Sequence, residues 1–319
     1  MNVLIITHSR DNASVALVSE QLVARGARVW RLDTDLYPQQ LRLSSQLGGG
    51  ASRRLIELPN GACQLEELQA CWYRRFAAGT ALPLELGDTR PACLAEAQQT
   101  MYGAIASLDC LQIDPLSSVR RADLKEVQLE QAGRFGLTIP RTLISNDPER
   151  ARQFFDECAG QVVTKTQTSF AIYRDQAEQV VFTSQVRPEH LDQLQSLAYA
   201  PMMFQEMLPK RLELRATIVG GQIFTAAIDS TRHQGAEVDW RRKGLELIDD
   251  WRPYPLPEEV GRGLLKLAGH FGLRYGAADL VVTPAGQHVF LELNAGGEWF
   301  WLQRCLPIAQ ALADCLLHG

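Results

Sequence analysis

The cysteines of this chain show no pairing pattern. There are seven, at positions 63, 71, 93, 110, 158, 305 and 315, an odd number without any C-x-x-C spacing. That excludes a disulfide framework and predicts reduced, mostly buried thiols in a cytoplasmic protein. No apolar run approaches the ~18 residues that would cross a bilayer, so no membrane partner is expected. The opening stretch from Met1 to His8 lacks a basic leader segment and a cleavage site, and reads as a strand. A basic excess is also missing. Lys and Arg number 32 against 37 Asp and Glu, a net charge of −5, which argues against nucleic acid as a partner. Finally, no G-x-G-x-x-G follows the first strand, which disfavours a dinucleotide-binding fold.

The 319 residues, 46% apolar and 22% charged, have an ordinary globular composition, long enough for about two domains. Residues 3–7 form an apolar run of buried-strand type. An amphipathic segment follows at 14–25, then a second strand at 27–32. This β-α-β opening predicts a parallel, doubly wound sheet whose strands would bring His8, Ser9 and Asp33 to a ligand-facing edge. Loop polarity and helix capping by Asp11 or Asn12 explain the same residues without a ligand. Two strands are expected within 41–70 and a helix over 91–108. Between them, Trp72 and Tyr73 precede Arg74 and Arg75, either a bidentate grip for a carboxylate or a solvated strand edge.

Asp114, Pro115, Ser117 and Ser118 mark a domain break. Beyond it, residues 121–132 read as one helix, 148–158 as another, and 161–166 as a strand carrying Lys165. A lysine in a β-branched strand needs an anionic partner, either a phosphate or a neighbouring carboxylate. The apolar run 201–208 contains Gln205, Glu206, Met207 and Leu208. A long hairpin then turns at Gly220 and Gly221, with Glu213 and Arg215 on one face of its first strand. The polar segment 230–250, with Asp239, Trp240 and Arg241, is expected to be a loop, its charges solvated or set to bind an acidic substrate. A second hairpin spans residues 275–297. Alternation puts Glu292 and Asn294 on one face, where Asp279 from the opposing strand can join them. Two carboxylates and an amide converging there suit a hard cation such as Mg²⁺ carrying nucleotide phosphates, and a solvated polar face is the alternative.

A lysine on a helix, a lysine on a strand, the segment 205–208, Glu213 with Arg215, and then Asp279, Glu292 and Asn294 follow one another. In type and order these residues resemble an ATP-grasp domain over 115–300, preceded by a pre-ATP-grasp domain. The resemblance implies an α/β first domain over 1–115. A two-part α+β ATP-grasp fold would follow, divided into 116–200 and 201–319. It also implies that Lys125 and Lys165 touch the ATP phosphates, that Gln205 to Leu208 border adenine, and that Glu213 binds ribose. Arg215 would lie at the γ-phosphate and acceptor carboxylate, and Asp279, Glu292 and Asn294 would hold Mg²⁺.

A narrower likeness rests on Cys71 to Arg75, Ala122 to Lys125, Val162 to Phe170, Glu213 to Thr217, Ala227 to Ser230 and Asp239 to Arg241. Together these resemble the microviridin-type peptide cyclases, or graspetide synthetases. The resemblance implies an ADP-forming ligase that activates Asp or Glu side chains of a ribosomal precursor peptide as acyl phosphates. Ser, Thr or Lys of the same peptide then closes a macrolactone or macrolactam. Arg215, with Arg74 or Arg241, would hold the carboxylate, and relatives of this kind are often homodimers. The rivals are a ligase that adds an amino acid to a peptide or protein, and an ATP-binding module without chemistry.

Overall fold

The computed structural model describes residues 1–50, 52–168, 171–174, 177–180, 183–233, 240 and 246–319, with 171–174 and 177–180 given by backbone alone. The first part opens with β1 (Asn2–Thr7), α1 (Ser14–Ala24) and β2 (Arg28–Asp33). A side meander, β3 (Arg42–Gln46), β4 (Arg53–Leu58) and β5 (Gly61–Gln64), comes next, followed by β6 (Ala70–Tyr73), α2 (Arg90–Ala106) and β7 (Leu111–Ile113). Strands β2-β1-β6-β7 make a wholly parallel sheet. Both its faces are covered, which is why β1 is apolar without alternation. Val3 and Ile5 face one core with α1, while Leu4 and Ile6 face another with Met101 and Ile105 of α2. The expected pair of strands within 41–70 is in fact the three-stranded antiparallel meander β3-β4-β5.

The predicted helix over 121–132 is two helices, α3 (Leu116–Ala122) and α4 (Lys125–Arg134), broken at Asp123 and Leu124. Leu124 has an extended backbone and caps α4. Then come β8 (Thr142–Ser145), α5 (Pro148–Glu157), β9 (Val162–Lys165), the hairpin β10 (Ala171–Arg174) and β11 (Ala177–Val180), β12 (Ser184–Gln185) and β13 (Met202–Glu206). Asp147 caps α5, accepting from the amides of Glu149 and Arg150. Strands β12-β9-β13-β8 form the middle, antiparallel sheet.

The last part holds β14 (Leu212–Val219), β15 (Gln222–Ile228), β16 (Arg252–Pro253), α6 (Glu258–Phe271), β17 (Tyr275–Val282), β18 (His288–Asn294) and α7 (Ile308–His318). Its antiparallel sheet runs β16-β15-β14-β17-β18. Alternation divides it cleanly: Leu214, Ala216 and Ile218 of β14 and Ala278 and Leu280 of β17 pack with the helices, with Leu264, Leu267, Ala268 and Phe271 of α6. The residues between them, Glu213 and Arg215 on β14 and Asp279 on β17, therefore point to the other side, toward the middle sheet. Gly272, with φ 69°, ends α6 in the left-handed conformation that costs glycine little.

The expected division at 200 cuts across these layers. β13 lies beyond residue 200 yet is hydrogen-bonded between β8 and β9. Residues 116–134 lie before 200 yet pack in the core of the last sheet through Ala122, Leu129 and Ala132. Helix α7 returns to the first domain, its Leu312 and Leu316 sharing a core with Val15 and Leu22 of α1. All seven cysteines are unbridged, and no helix among the described residues is long and apolar enough to cross a membrane.

Candidate active site

A cleft opens between the middle sheet and the last sheet. The middle sheet contributes Lys165 of β9 with Gln205 and Glu206 of β13; Met207, Leu208 and Lys210 line the connection; Glu213, Asp279 and Glu292 come from the far sheet. Eight of the thirteen residues that sequence reasoning singles out thus border one space, although they are spread over 128 positions, from 165 to 292. Lys125, Arg215 and Asn294 join through direct contacts with Glu292 and Asp279.

The carboxylate pair owes its geometry to strand register. Asp279 of β17 lies opposite Glu292 of β18, and Ala277 opposite Asn294. The Asn294 amide reaches Asp279 Oδ2 at 3.3 Å and Glu292 Oε1 at 3.2 Å. On the other edge of β17, Arg215 lies opposite Asp279 and its Nη1 donates to Asp279 Oδ1 at 2.6 Å. Lys125, the first residue of α4, places Nζ 2.7 Å from Glu292 Oε2. Burial alone would push the Glu292 carboxyl up, but Lys125 and Lys165 outweigh it and hold the group far below the ordinary carboxylate range. Burial also works against the Arg215 charge, and Asp279 more than restores it.

This donor set fits a hard divalent cation. Two carboxylates and an amide sit within hydrogen-bond reach of one another, and rotating the Asn294 amide by half a turn would present its oxygen to the same point. Among the described residues no group of three His, Cys, Asp or Glu side chains gathers as a metal site, so any cation here rests on the mixed carboxylate and amide set.

The remaining expected positions differ in their surroundings. Glu213 Oε1 accepts from Lys210 Nζ at 2.6 Å and from Ser230 Oγ at 2.5 Å, leaving its Oε2 as the oxygen not engaged by these two. Gln205 is 1% exposed, and its amide donates to Thr142 Oγ1 at 3.2 Å. Its side chain therefore braces β13 against β8, while the neighbouring Glu206 takes the alternate face. The Glu206 and Met207 amides bond to the carbonyls of Arg141 and Gln161 at 2.9 Å each.

Arg74 does not stand ready for a substrate carboxylate. It is 3% exposed and already engaged: Nε and Nη2 reach Asp11 at 2.7 and 3.1 Å, and Nη2 reaches Glu298 Oε2 at 2.6 Å. A guanidinium at that depth must be neutralised within the protein, and two carboxylates do so. Arg241, the third expected arginine, lies outside the described residues, as do Asp239, Ser169 and Phe170. Trp240 borders the cleft and packs against Trp251 and Trp301, with ring centroids 5.1 and 5.2 Å away.

Sequence reasoning missed Lys210, Ser230, Asp11 and Glu298. Asp11 was open to reading as a helix cap, yet its carboxylate faces Arg74. The signal for Glu298 was present: a lone acid beside Trp299, Phe300 and Trp301 needs a buried partner, and Arg74 beside Trp72 is its counterpart.

Comparison with known proteins matches residues 2–120 to the family described as the MvdD pre-ATP grasp domain. No curated protein matches the chain. Among solved structures, macrocyclase MdnC from Microcystis aeruginosa MRC, bound with precursor peptide MdnA, is 44% identical. The match covers 100% of this chain and 99% of that one, with a TM-score of 0.91. A RiPP-associated ATP-grasp ligase of Chryseobacterium gregarium, in complex with ADP and a leader and core peptide, is 38% identical over 99% and 96% of the two chains, at TM-score 0.93. Macrocyclase MdnB from Microcystis aeruginosa MRC is 36% identical over 100% and 99%, at 0.84.

Proposed function

This chain belongs to the microviridin-type ATP-grasp macrocyclases, and from that premise we propose that it closes rings in a ribosomal precursor peptide, with ATP as phosphoryl donor. The observation that carries this reading is the convergence of Lys165, Glu206, Glu213, Asp279 and Glu292 on one cleft between two sheets. Lys125 and Lys165 hold the triphosphate, Met207 and Leu208 flank the base, and Glu213 takes the ribose. Asp279 and Glu292, with the Asn294 amide oxygen, hold Mg²⁺. When bound, that ion neutralises charge on the β- and γ-phosphate oxygens.

The reaction runs in two displacements. A side-chain carboxylate oxygen of Asp or Glu in the peptide attacks the γ-phosphorus, the bond to the β-phosphate oxygen breaks, and ADP leaves. A Ser or Thr hydroxyl, or a Lys amine, of the same peptide then attacks the acyl carbon. The bond from that carbon to the phosphate oxygen breaks, phosphate departs, and the nucleophile's proton passes to solvent. Arg215 has five N–H donors. Three are committed to Asp279 and to the carbonyl of Glu298, and in this reading the remaining two hold the acceptor carboxylate in line. The partner is a precursor peptide with leader and core. The seven unbridged thiols support a cytoplasmic setting, where the chain acts as a homodimer.

The test is mass spectrometry of a precursor peptide with leader and core after incubation with the protein, ATP and Mg²⁺. Ring closure removes the mass of one water per event. A peptide that instead gains the mass of an amino acid indicates ligation, and ADP formation with an unchanged peptide contradicts both.

A further inference from the structure

Three arginines from two domains meet at the turn that follows β18. Arg74 and Arg75, just past β6 of the first domain, both grip the Glu298 carboxylate. Arg74 Nη2 lies 2.6 Å from Oε2, Arg75 Nη2 pairs with Oε1, and the Asn12 amide donates to Oε2. Arg75 Nη1 also donates to the carbonyl of Gly296 at 2.7 Å. The main-chain carbonyl of the same Glu298 faces the opposite way. It accepts two bonds from Arg215, from Nε at 3.1 Å and Nη2 at 2.9 Å, while Nη1 of Arg215 is on Asp279.

The turn is built too tightly for this to be incidental. Gly297 donates to the carbonyl of Asn294 at 3.1 Å. A Cβ at 297 would stand 2.5 Å from Ala277 Cβ and 3.1 Å from Arg215 Nη2, and one at 296 would stand 2.9 Å from Arg75 Nη1. Two glycines therefore let the backbone approach both guanidinium groups at once.

We propose that Glu298 is a positioning residue: clamped by Arg74 and Arg75 of the first domain, it fixes the carbonyl that aims Arg215 beside Asp279. The side chain's role lies in where it holds its own backbone, and it touches no reacting atom. In this arrangement the first domain takes part in the site, because its two arginines set the direction of the arginine that faces the acceptor. This inference rests on the reading of Arg215 as the holder of the substrate carboxylate.

The test compares wild type with Glu298→Gln, which keeps the shape and loses the charge, and with Arg75→Met, which leaves the buried Arg74 and Asp11 pair in place. Peptide-dependent ADP formation is expected to fall about 100-fold in kcat, as a misplacement near 1 Å does. The Kd for AMPPNP with Mg²⁺, read by calorimetry, should stay within about twofold. Glu298→Asp should recover part of the loss. Wild-type kcat in folded Gln and Met variants overturns the proposal, and so does a parallel loss of kcat and AMPPNP affinity. A crystal structure of Glu298→Gln reads the positioning without turnover. A displaced Arg215 guanidinium is expected, and unchanged bonds to the carbonyl of residue 298 overturn the proposal. A wild type that forms no ADP with the peptide, combined with a displaced Arg215 in the variant, sinks the function assigned to Arg215 and leaves the positioning intact.

Discussion

Lys125 Nζ lies 2.7 Å from Glu292 Oε2, joining residues 167 positions apart. One is the first residue of a helix and the other the middle of a hairpin strand, so the pair ties α4 to the edge of the last sheet at the mouth of the cleft. Both groups are largely sheltered, with 12% and 20% of their side chains exposed. In such a setting the ammonium holds the carboxylate ionised, and it also stands within reach of a phosphate brought to the same place.

Lys125→Ala is expected to lower kcat/KM for ATP about 100-fold, because a preorganised cation facing the triphosphate is lost. Steady-state ADP release checks it. The fold should persist, since Lys165 still faces Glu292.

Glu292→Gln should reduce Mg²⁺-dependent ADP release at least about 100-fold while the far-ultraviolet circular dichroism spectrum stays unchanged. Titration with Mg²⁺ separates metal from nucleotide: the variant is expected to need far more of the ion. Normal turnover would refute the metal assignment.

Gln128 is fully buried and bonds both main-chain groups of Leu293, accepting from its amide at 2.9 Å and donating to its carbonyl at 2.7 Å. Strand β18 is an edge strand, and Gln128 satisfies it between Glu292 and Asn294. Gln128→Leu would leave two buried backbone groups unpaired, a cost of about 2–4 kcal/mol. Urea denaturation measures the loss, and Mg²⁺ affinity should weaken with it.

Asp114 predicts a pH dependence. Burial raises its carboxyl from 3.8 to about 7, against the amides of Arg274 and Tyr275, which bond it at 2.8 and 3.0 Å. The folded protein therefore keeps this proton up to about pH 7, whereas the unfolded chain releases it near 3.8. Between those values the folded state binds more protons, so this group lowers stability as pH rises and its effect levels off above 7. The full effect is on the order of 4 kcal/mol. Asp114→Asn should make the urea midpoint less dependent on pH across that interval, and an unchanged slope would contradict the assignment.

Much of the cleft was legible because strands fix side-chain direction two residues at a time. Glu292 and Asn294 share a face by alternation alone, and the turn around Gly286 sets the hairpin that brings Asp279 opposite Glu292. The buried first strand was equally plain, since a run with both faces covered has no alternation to hide it. What failed was whatever depends on partners distant in sequence. Arg74 reads as a surface grip until Asp11 and Glu298 are seen around it, and nothing in the sequence pairs the cleft residue Gln205 with Thr142. Helical periodicity likewise carried straight through Asp123 and Leu124, where the chain turns to begin a new helix at Lys125.

The most direct measurement follows oxygen from the peptide to the phosphate. A precursor peptide whose Asp and Glu side chains carry a heavy oxygen isotope is incubated with the protein, ATP and Mg²⁺, and the released phosphate is weighed. Activation through an acyl phosphate predicts one labelled oxygen in the phosphate for each ring closed. Unlabelled phosphate beside a cyclised peptide would contradict it.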